Sequence, residues 1–325
     1  MLRYVIRRLV WLVFVLVVIV AITYSIFFLL PGGSTDTIAQ RFAGKAPPPA
    51  VVEQVKLQMG LDKPIPEQFL LFTKRLFFGD QYGWPGFGKS FALREPLKPI
   101  LLERIWVTVQ LALGAAVMWL LIGVPIGILS ALRPHSLFDR FAMGFALIGI
   151  SIPVFVLGPL AQWLLSYKTD ILPSSGYSPL FEDGIGPWFS HWLMPWFVLA
   201  LLYAAFYARL ARANLLETMG EDYMRTARAK GLTERRVVLR HGLRASLTPL
   251  VTVFGLDLAG LMAGAVITET IFNLPGIGDL AIKSIRGQDV YAILDVTIIA
   301  AFMITFANLV VDIIYAFLDP RVRYE

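Results

Sequence analysis

Gly83, Gly88, Lys89 and Ser90 stand in the spacing G-x-x-x-x-G-K-[ST], the pattern in which amide N–H groups, a lysine and a hydroxyl hold phosphates and magnesium. That chemistry needs a strand before the loop and a helix N-terminus after it. Here Pro96 and Pro99 follow closely, and no Asp stands at the end of an apolar strand, so the segment reads as a Gly-rich turn. His135, His191 and His241 are far apart, whereas a transition-metal site needs convergent ligands; they read as isolated interfacial or loop residues. The carboxylate pairs Glu182-Asp183 and Glu221-Asp222 fall in loops and read as solvated charge rather than acid/base partners. Neither G-x-S-x-G nor H-E-x-x-H occurs. With no cysteine, a thiol nucleophile, a Cys-ligated zinc, an iron–sulfur cluster and a disulfide are all excluded. No enzyme active site emerges.

The carboxylates that carry information lie in apolar surroundings, where a charge costs about 2.5–3.5 kcal/mol at the bilayer centre. Asp257 falls near the middle of one apolar run. It reads either as part of a polar solute pathway or as an interhelical hydrogen-bond partner. Asp312 follows Asn308 by one turn and Thr305 by two, so the three share one helix face and join Asp257 as candidate path residues. Glu269 and Asp295, towards the outer ends of their runs, are expected to reach water.

The elements around these residues follow from composition. The chain has 325 residues, of which 57% are hydrophobic and 16% charged. A globular domain carries roughly 45–50% apolar and about 25% charged residues, so the excess apolar surface faces lipid. Disorder, collagen and coiled coil are excluded by the same numbers. A spanning helix needs about 20 apolar residues. Six runs qualify, at 9–30, 106–132, 141–167, 188–208, 247–267 and 292–318. The first four hold no Asp, Glu, Lys or Arg, unlike core helices of soluble proteins, which keep a polar face. The expected fold is all-α and polytopic with six transmembrane helices. Residues 1–30 form an anchor, too long for a signal-peptide core and lacking an A-x-A cleavage pattern. Residues 31–105 form an outer cap with a helix over Val51–Met59 and apolar anchors Phe69, Leu70, Leu71 and Phe72. Residues 106–318 form the membrane core with an inner loop at 209–245, and 319–325 a tail.

Lysine and arginine set the orientation. With the N-terminus inside, short inner loops and ends carry 16 of them and short outer loops 3, the other 10 lying in the long 31–105 segment. Both termini are therefore expected to be cytoplasmic. Gly255, Ala259, Gly260, Ala263 and Gly264 in the fifth run and Gly123-x-x-x-Gly127 in the second allow close helix packing, within the chain or against a second subunit.

The inner loop holds nine Lys and Arg against four acids. Its sequence Glu221-Asp222-Tyr223-Met224-Arg225-Thr226-Ala227-Arg228-Ala229-Lys230-Gly231-Leu232 predicts a helix to Lys230, a C-cap at Gly231 and a second short helix N-capped by Thr233. A bland reading is a positive-inside loop near anionic lipid.

This loop resembles the E-A-A-x-x-x-G coupling loop of permease subunits of binding-protein-dependent ABC importers, in the dipeptide/oligopeptide/nickel branch. Ala227 and Gly231 match the second Ala and the Gly; Arg225 and Thr226 replace the Glu and first Ala, as in the branch's Asp222-Tyr223-x-Arg-Thr-Ala-Arg-Ala-Lys-Gly-Leu form. Further matches run along the chain: Arg7-Arg8 before a span ending Leu29-Leu30-Pro31-Gly32, Gly60-Leu61-Asp62-Lys63-Pro64-Ile65-Pro66, Glu269-Thr-Ile-Phe-Asn-Leu-Pro-Gly-Ile-Gly278, and Asn308 to Arg321. The stretch 81–89 departs from the branch, being longer than its short turn.

The resemblance implies a type I ABC importer permease fold. It implies a homologous permease partner, two cytoplasmic ATPases that bind ATP and magnesium, an extracytoplasmic solute-binding protein and surrounding lipid in the cell membrane. This chain would bind no cofactor, metal or nucleic acid and hydrolyse nothing. Residues 221–232 other than Met224 would couple to the ATPase, with Ala227 and Gly231 fitting its groove. Peptides are the commonest cargo of the branch, with nickel or another solute as alternatives. An ion-driven carrier using Asp257 as a proton relay, or a membrane scaffold, are the competing classes.

Overall fold

The computed structural model describes residues 2–30, 34–44, 47–90 and 93–318; Pro31 and Gly32 of the first-span motif and the 319–325 tail lie outside them. Among the described residues every named element is helical. The first run is rich in valine and isoleucine, which favour strands in water. In lipid a lone segment must satisfy its backbone internally, and it forms helix α1 (Leu2–Tyr24), widening into one π-turn to Leu29. Its outer surface exposes Val10, Trp11, Phe14 and Ile22, while Val20, Tyr24 and Phe28 are buried.

The outer segment folds as α2 (Thr35–Ala43), α3 (Pro49–Met59) and α4 (Ile65–Phe78). Prolines at the first turns of α3 and α4 fit positions whose N–H groups need no partner, and Gly60 closes α3 in the left-handed region (φ +64°). Phe42, Val55, Met59, Leu61, Phe72 and Leu76 form a core continuous with Tyr24 and Phe28 below and Tyr291 and Leu294 alongside. Of the four expected anchors Phe72 is buried, Phe69 packs against this core, and Leu70 and Leu71 are exposed.

Two helices of 36 residues form the centre: α5 (Leu97–Leu132) and, after a broken third span, α8 (Ile185–Gly220). At about 1.5 Å per residue each is longer than the hydrocarbon core is thick. Both overrun the expected spans, α5 by starting at Leu97 rather than 106, α8 by continuing to Gly220 rather than stopping at 208. The loop expected at 209–245 is correspondingly shorter, because its charged first part continues the helix to Gly220. Gly123 and Gly127 of α5 lie against the backbone of Ala204 and Ala208 of α8. That glycine pair therefore serves packing within the chain, around buried Trp119, Trp192 and Tyr207.

The third span is two helices, α6 (Leu137–Ser151) and α7 (Val154–Gln162), meeting at 102°. Pro153 explains the break: the residue before a proline is driven out of helical conformation, and Ile152 is extended at φ −94°, ψ 118°. The fifth span is α10 (Glu234–Ser246) and α11 (Thr248–Met262), bent by 43°. It ends at Met262 rather than 267. Gly264 turns the chain at φ +116° with its Cα against the backbone of Gly278, and α12 (Val266–Ile271) folds back. α13 (Ile277–Gly287) and α14 (Val290–Leu318) complete the chain. Among the described residues four helices are long and apolar enough to span a membrane, and up to six spans result if each bent pair is one.

Candidate functional site

At the C-terminal end of α8 a single extended residue, Glu221 (φ −66°, ψ 148°), leads into α9 (Asp222–Ala229). The Glu221 carbonyl accepts the Met224 and Arg225 N–H groups at 3.0 and 3.3 Å, and Asp222 in the first turn suits the positive helix end. Met224 and Ala227, one turn apart, are buried against Val237, Met219 and Leu232. Glu221, Asp222, Tyr223, Arg225, Thr226, Arg228, Ala229, Lys230 and Gly231 are exposed. Tyr223, Thr226 and Lys230 follow the i, i+3, i+7 spacing of one outward ridge.

The helix stops where expected. The Gly231 N–H donates to the Arg228 carbonyl at 2.9 Å and the Leu232 N–H to the Ala227 carbonyl at 3.4 Å, the paired bonds of a Schellman motif, with Gly231 left-handed at φ +76°. Thr233 precedes the next helix as expected, but its backbone carbonyl rather than its side chain caps, accepting the Arg236 and Val237 N–H groups. Arg228 closes the turn on Glu234 with two bonds of 3.1 and 3.0 Å. The Arg228 hydrogen bond holds the Glu234 carboxyl below its ordinary value. Ala227 faces this internal packing, so the outward surface is the ridge rather than the alanine.

The candidate path residues do not converge. Asp257 on α11 accepts the Tyr207 hydroxyl of α8 at 2.8 Å, an interhelical hydrogen bond. The Thr305 hydroxyl turns to its own helix, donating to the Ala301 carbonyl at 2.7 Å. Asp312 pairs with Arg8 of α1 at 2.7 Å, and Asn308 is half-buried between them along α14.

Glu269 and Asp295 do not reach water; both are buried, Glu269 completely. The fold-back after Gly264 carries Glu269 inward, where it accepts the Thr108 hydroxyl at 2.8 Å and the Asp279 N–H at 2.9 Å. Thr108 in turn accepts the Ile277 N–H at 2.9 Å, while Arg104 and Lys283 each reach Asp279 at 2.7 Å. A Cβ at Gly276 would meet the Glu269 carboxylate, which explains a glycine there. Asp295, 2% exposed, stands on α14 between Leu294 and Val296 of the core that joins the cap to that helix.

The Gly83–Ser90 segment follows a helix, α4, and Leu97 opens the next one. Its groups are spent locally. Asp80 accepts the Tyr82 and Gly88 N–H groups at 2.7 Å each, Ser90 accepts the Leu93 N–H at 2.8 Å and donates to Asp289. The geometry is that of a turn tying the cap to the α13–α14 junction. Sequence reasoning overlooked a second polar link: Arg212 of α8 grips Asp139 of α6 by bonds of 2.6 and 2.8 Å. The separation of 73 positions hides it, although Ser136-x-x-Asp139 has the spacing of a helix cap.

Known proteins match this chain in sequence along nearly its whole length. Residues 123–324 match the family described as binding-protein-dependent transport system inner membrane component, and residues 1–112 match its N-terminal companion. A probable peptide ABC transporter permease of Sinorhizobium fredii (strain NBRC 101917 / NGR234) is 34% identical over 99% of both chains. The dipeptide transport system permease DppB of Escherichia coli (strain K12) is 33% identical over 100% of both. A chain of the inward-facing MetNI methionine ABC transporter superposes with a TM-score of 0.56 at 20% identity, covering 69% of this chain and 99% of that one, and so shares its fold. Relatives of this kind are permease components rather than enzymes, and their family works with a binding protein. With its several apolar helices and both family matches, the chain belongs to the multi-pass inner membrane components of binding-protein-dependent ABC transport systems.

Proposed function

We propose that this chain is one permease subunit of an ATP-driven importer of di- or oligopeptides. It pairs with a homologous permease, rests in lipid with both termini in the cytoplasm, and receives its cargo from an extracytoplasmic binding protein. Two cytoplasmic ATPases bind ATP and magnesium, and this chain binds no cofactor of its own. The peptide cargo rests on the full-length likeness to relatives named for peptide and dipeptide transport.

The observation that carries the coupling role is α9 itself. Met224 and Ala227 close its inner face against the chain, and Tyr223, Thr226 and Lys230 stand free on its outer face. A short helix packed on one side and open on the other, at the end of a 36-residue helix, suits docking in a groove of an ATPase. ATP-driven movement of that groove displaces α9, and the solute site alternates in access as the spans follow. In this reading Asp257 with Tyr207 is the polar element of the path, Asn308 and Thr305 lie along the neighbouring helix, and the Arg8–Asp312 pair holds α1 against it.

The chain has no native cysteine, so single-cysteine variants report cleanly. Thr226→Cys is expected to cross-link to a co-expressed ATPase subunit and Gly186→Cys, at the opposite end of α8, to give none. Cross-linking from Gly186→Cys alone would reverse the proposed orientation and remove the coupling role from α9.

A further inference from the structure

Only Glu221 separates α9 from α8, so a force on α9 reaches the end of one continuous helix. Arg212 lies on that helix about two turns before its end. Its Nε donates to Asp139 Oδ1 at 2.6 Å and its Nη2 to Oδ2 at 2.8 Å. Asp139 is itself built into the first turn of α6. Ser136 Oγ accepts the Asp139 N–H at 3.2 Å, and Asp139 Oδ2 accepts the His135 N–H at 2.9 Å. The arrangement approximates a reciprocal capping box, so whatever holds this carboxylate holds the helix end. The Asp139 side chain is 4% exposed, and a two-point charged bond away from water is strong and fixed in direction.

Among the described residues this is the one ion pair between α6 and α8. Further along, the two helices meet only through apolar faces, with Gly149 against Ala205 and the Leu201 carbonyl, beside an apolar pocket of about 500 Å³ lined also by Phe141 and Phe145. Apolar contact has no fixed direction; a forked bond at the helix end does. Beyond α6 the chain turns by 102° into α7, whose Gly158 packs on Ile271 and whose Gln162 donates to the Ile271 carbonyl at 3.0 Å. Ile271 belongs to α12, the same short helix that carries Glu269.

We infer that Arg212 and Asp139 are a positioning pair that transmits displacement of the coupling loop from α8 into α6, and through α7 to the hairpin formed by α12 and α13. The inference rests on the importer reading above. Neither residue contacts solute or nucleotide; both act through the helices they join.

The test uses the full complex with its partner permease, ATPases and binding protein, reconstituted in proteoliposomes and supplied with a dipeptide. The double variant Asp139→Leu/Arg212→Met removes both charges together, and the His135 N–H that loses its acceptor belongs to an exposed residue. ATPase subunits are expected to co-purify with it and to hydrolyse ATP, while dipeptide imported per ATP falls by about fivefold or more. Unchanged import per ATP in the double variant would overturn the inference. Loss of ATPase co-purification would also overturn it, by assigning the pair to folding alone. A wild-type complex without ATP-dependent import would instead bring down the importer reading, a distinguishable result.

Discussion

Thr108 and Glu269, 161 positions apart, meet in a buried hydrogen bond of 2.8 Å between the first third of α5 and the short helix α12. The threonine oxygen also accepts the Ile277 N–H at 2.9 Å, so one hydroxyl ties both arms of the hairpin formed by α12 and α13 to the central helix. Gly276 and Gly278 provide the space into which the Glu269 carboxylate fits.

Replacing Thr108 by Val keeps the shape but strands the Ile277 N–H and one Glu269 oxygen. A destabilisation of about 1–3 kcal/mol is expected, with Thr108→Ser close to wild type. Thermal unfolding of the detergent-solubilised complex measures both. A Val variant as stable as wild type would show that the hairpin is held by other contacts.

Gly231 is left-handed at φ +76°, with no atom within 4 Å of where a Cβ would sit. Within this chain size is therefore harmless and backbone conformation decides. Gly231→Val is expected to disfavour the turn by about 1–2 kcal/mol and to weaken ATPase co-purification. Gly231→Asn, which tolerates that conformation, should retain it. Loss of association in both would mean that the ATPase groove itself rejects a side chain; undiminished association of the Val variant would count against docking at α9.

Gly127 approaches the Ala208 backbone and Gly123 that of Ala204, so a methyl group at either position forces α5 and α8 apart. Overpacking of this kind costs about 1–3 kcal/mol. Gly127→Ala should lower the unfolding temperature of the complex, whereas Gly144→Ala, which meets nothing within 4 Å, should not. Equal behaviour of the two would remove the packing role.

Glu234, paired with Arg228, has its carboxyl lowered in the folded loop. A lowered carboxyl stabilises above the unfolded value of about 4.3, and that contribution disappears as pH falls through the folded value. The pair is solvent-exposed, so its effect is small. Hydrogen exchange of the Gly231 turn should be insensitive to the pair between pH 6 and 8 after correction for intrinsic rates, and faster below about pH 4. Added protection on acidification would contradict the pairing.

What the sequence makes legible here is what lipid dictates locally. Uncharged runs such as 106–132 and 188–208 can only be helices, and Gly231 after good helix formers marks a stop. Long-range folding was less visible. Pro153 sits inside an unbroken apolar run, so hydropathy alone hides the 102° bend that the proline causes. Arg209 and Arg212 look like loop charge, yet α8 carries them onward as helix and Arg212 finds its partner on α6. The sequence alone puts Glu269 at a wet outer end, because nothing local announces that Gly264 reverses the chain and buries it. The α9 segment is legible as a coupling-loop motif, but which of its residues face outward depends on the packing of Met224 and Ala227 against Val237.

Uptake of labelled dipeptide into proteoliposomes containing the complete complex, with ATP enclosed on the ATPase side, measures the central claim most directly. Import is expected to require ATP and the external binding protein together and to be unchanged by a proton uncoupler. Import driven by a proton gradient without ATP, and abolished by the uncoupler, would contradict it.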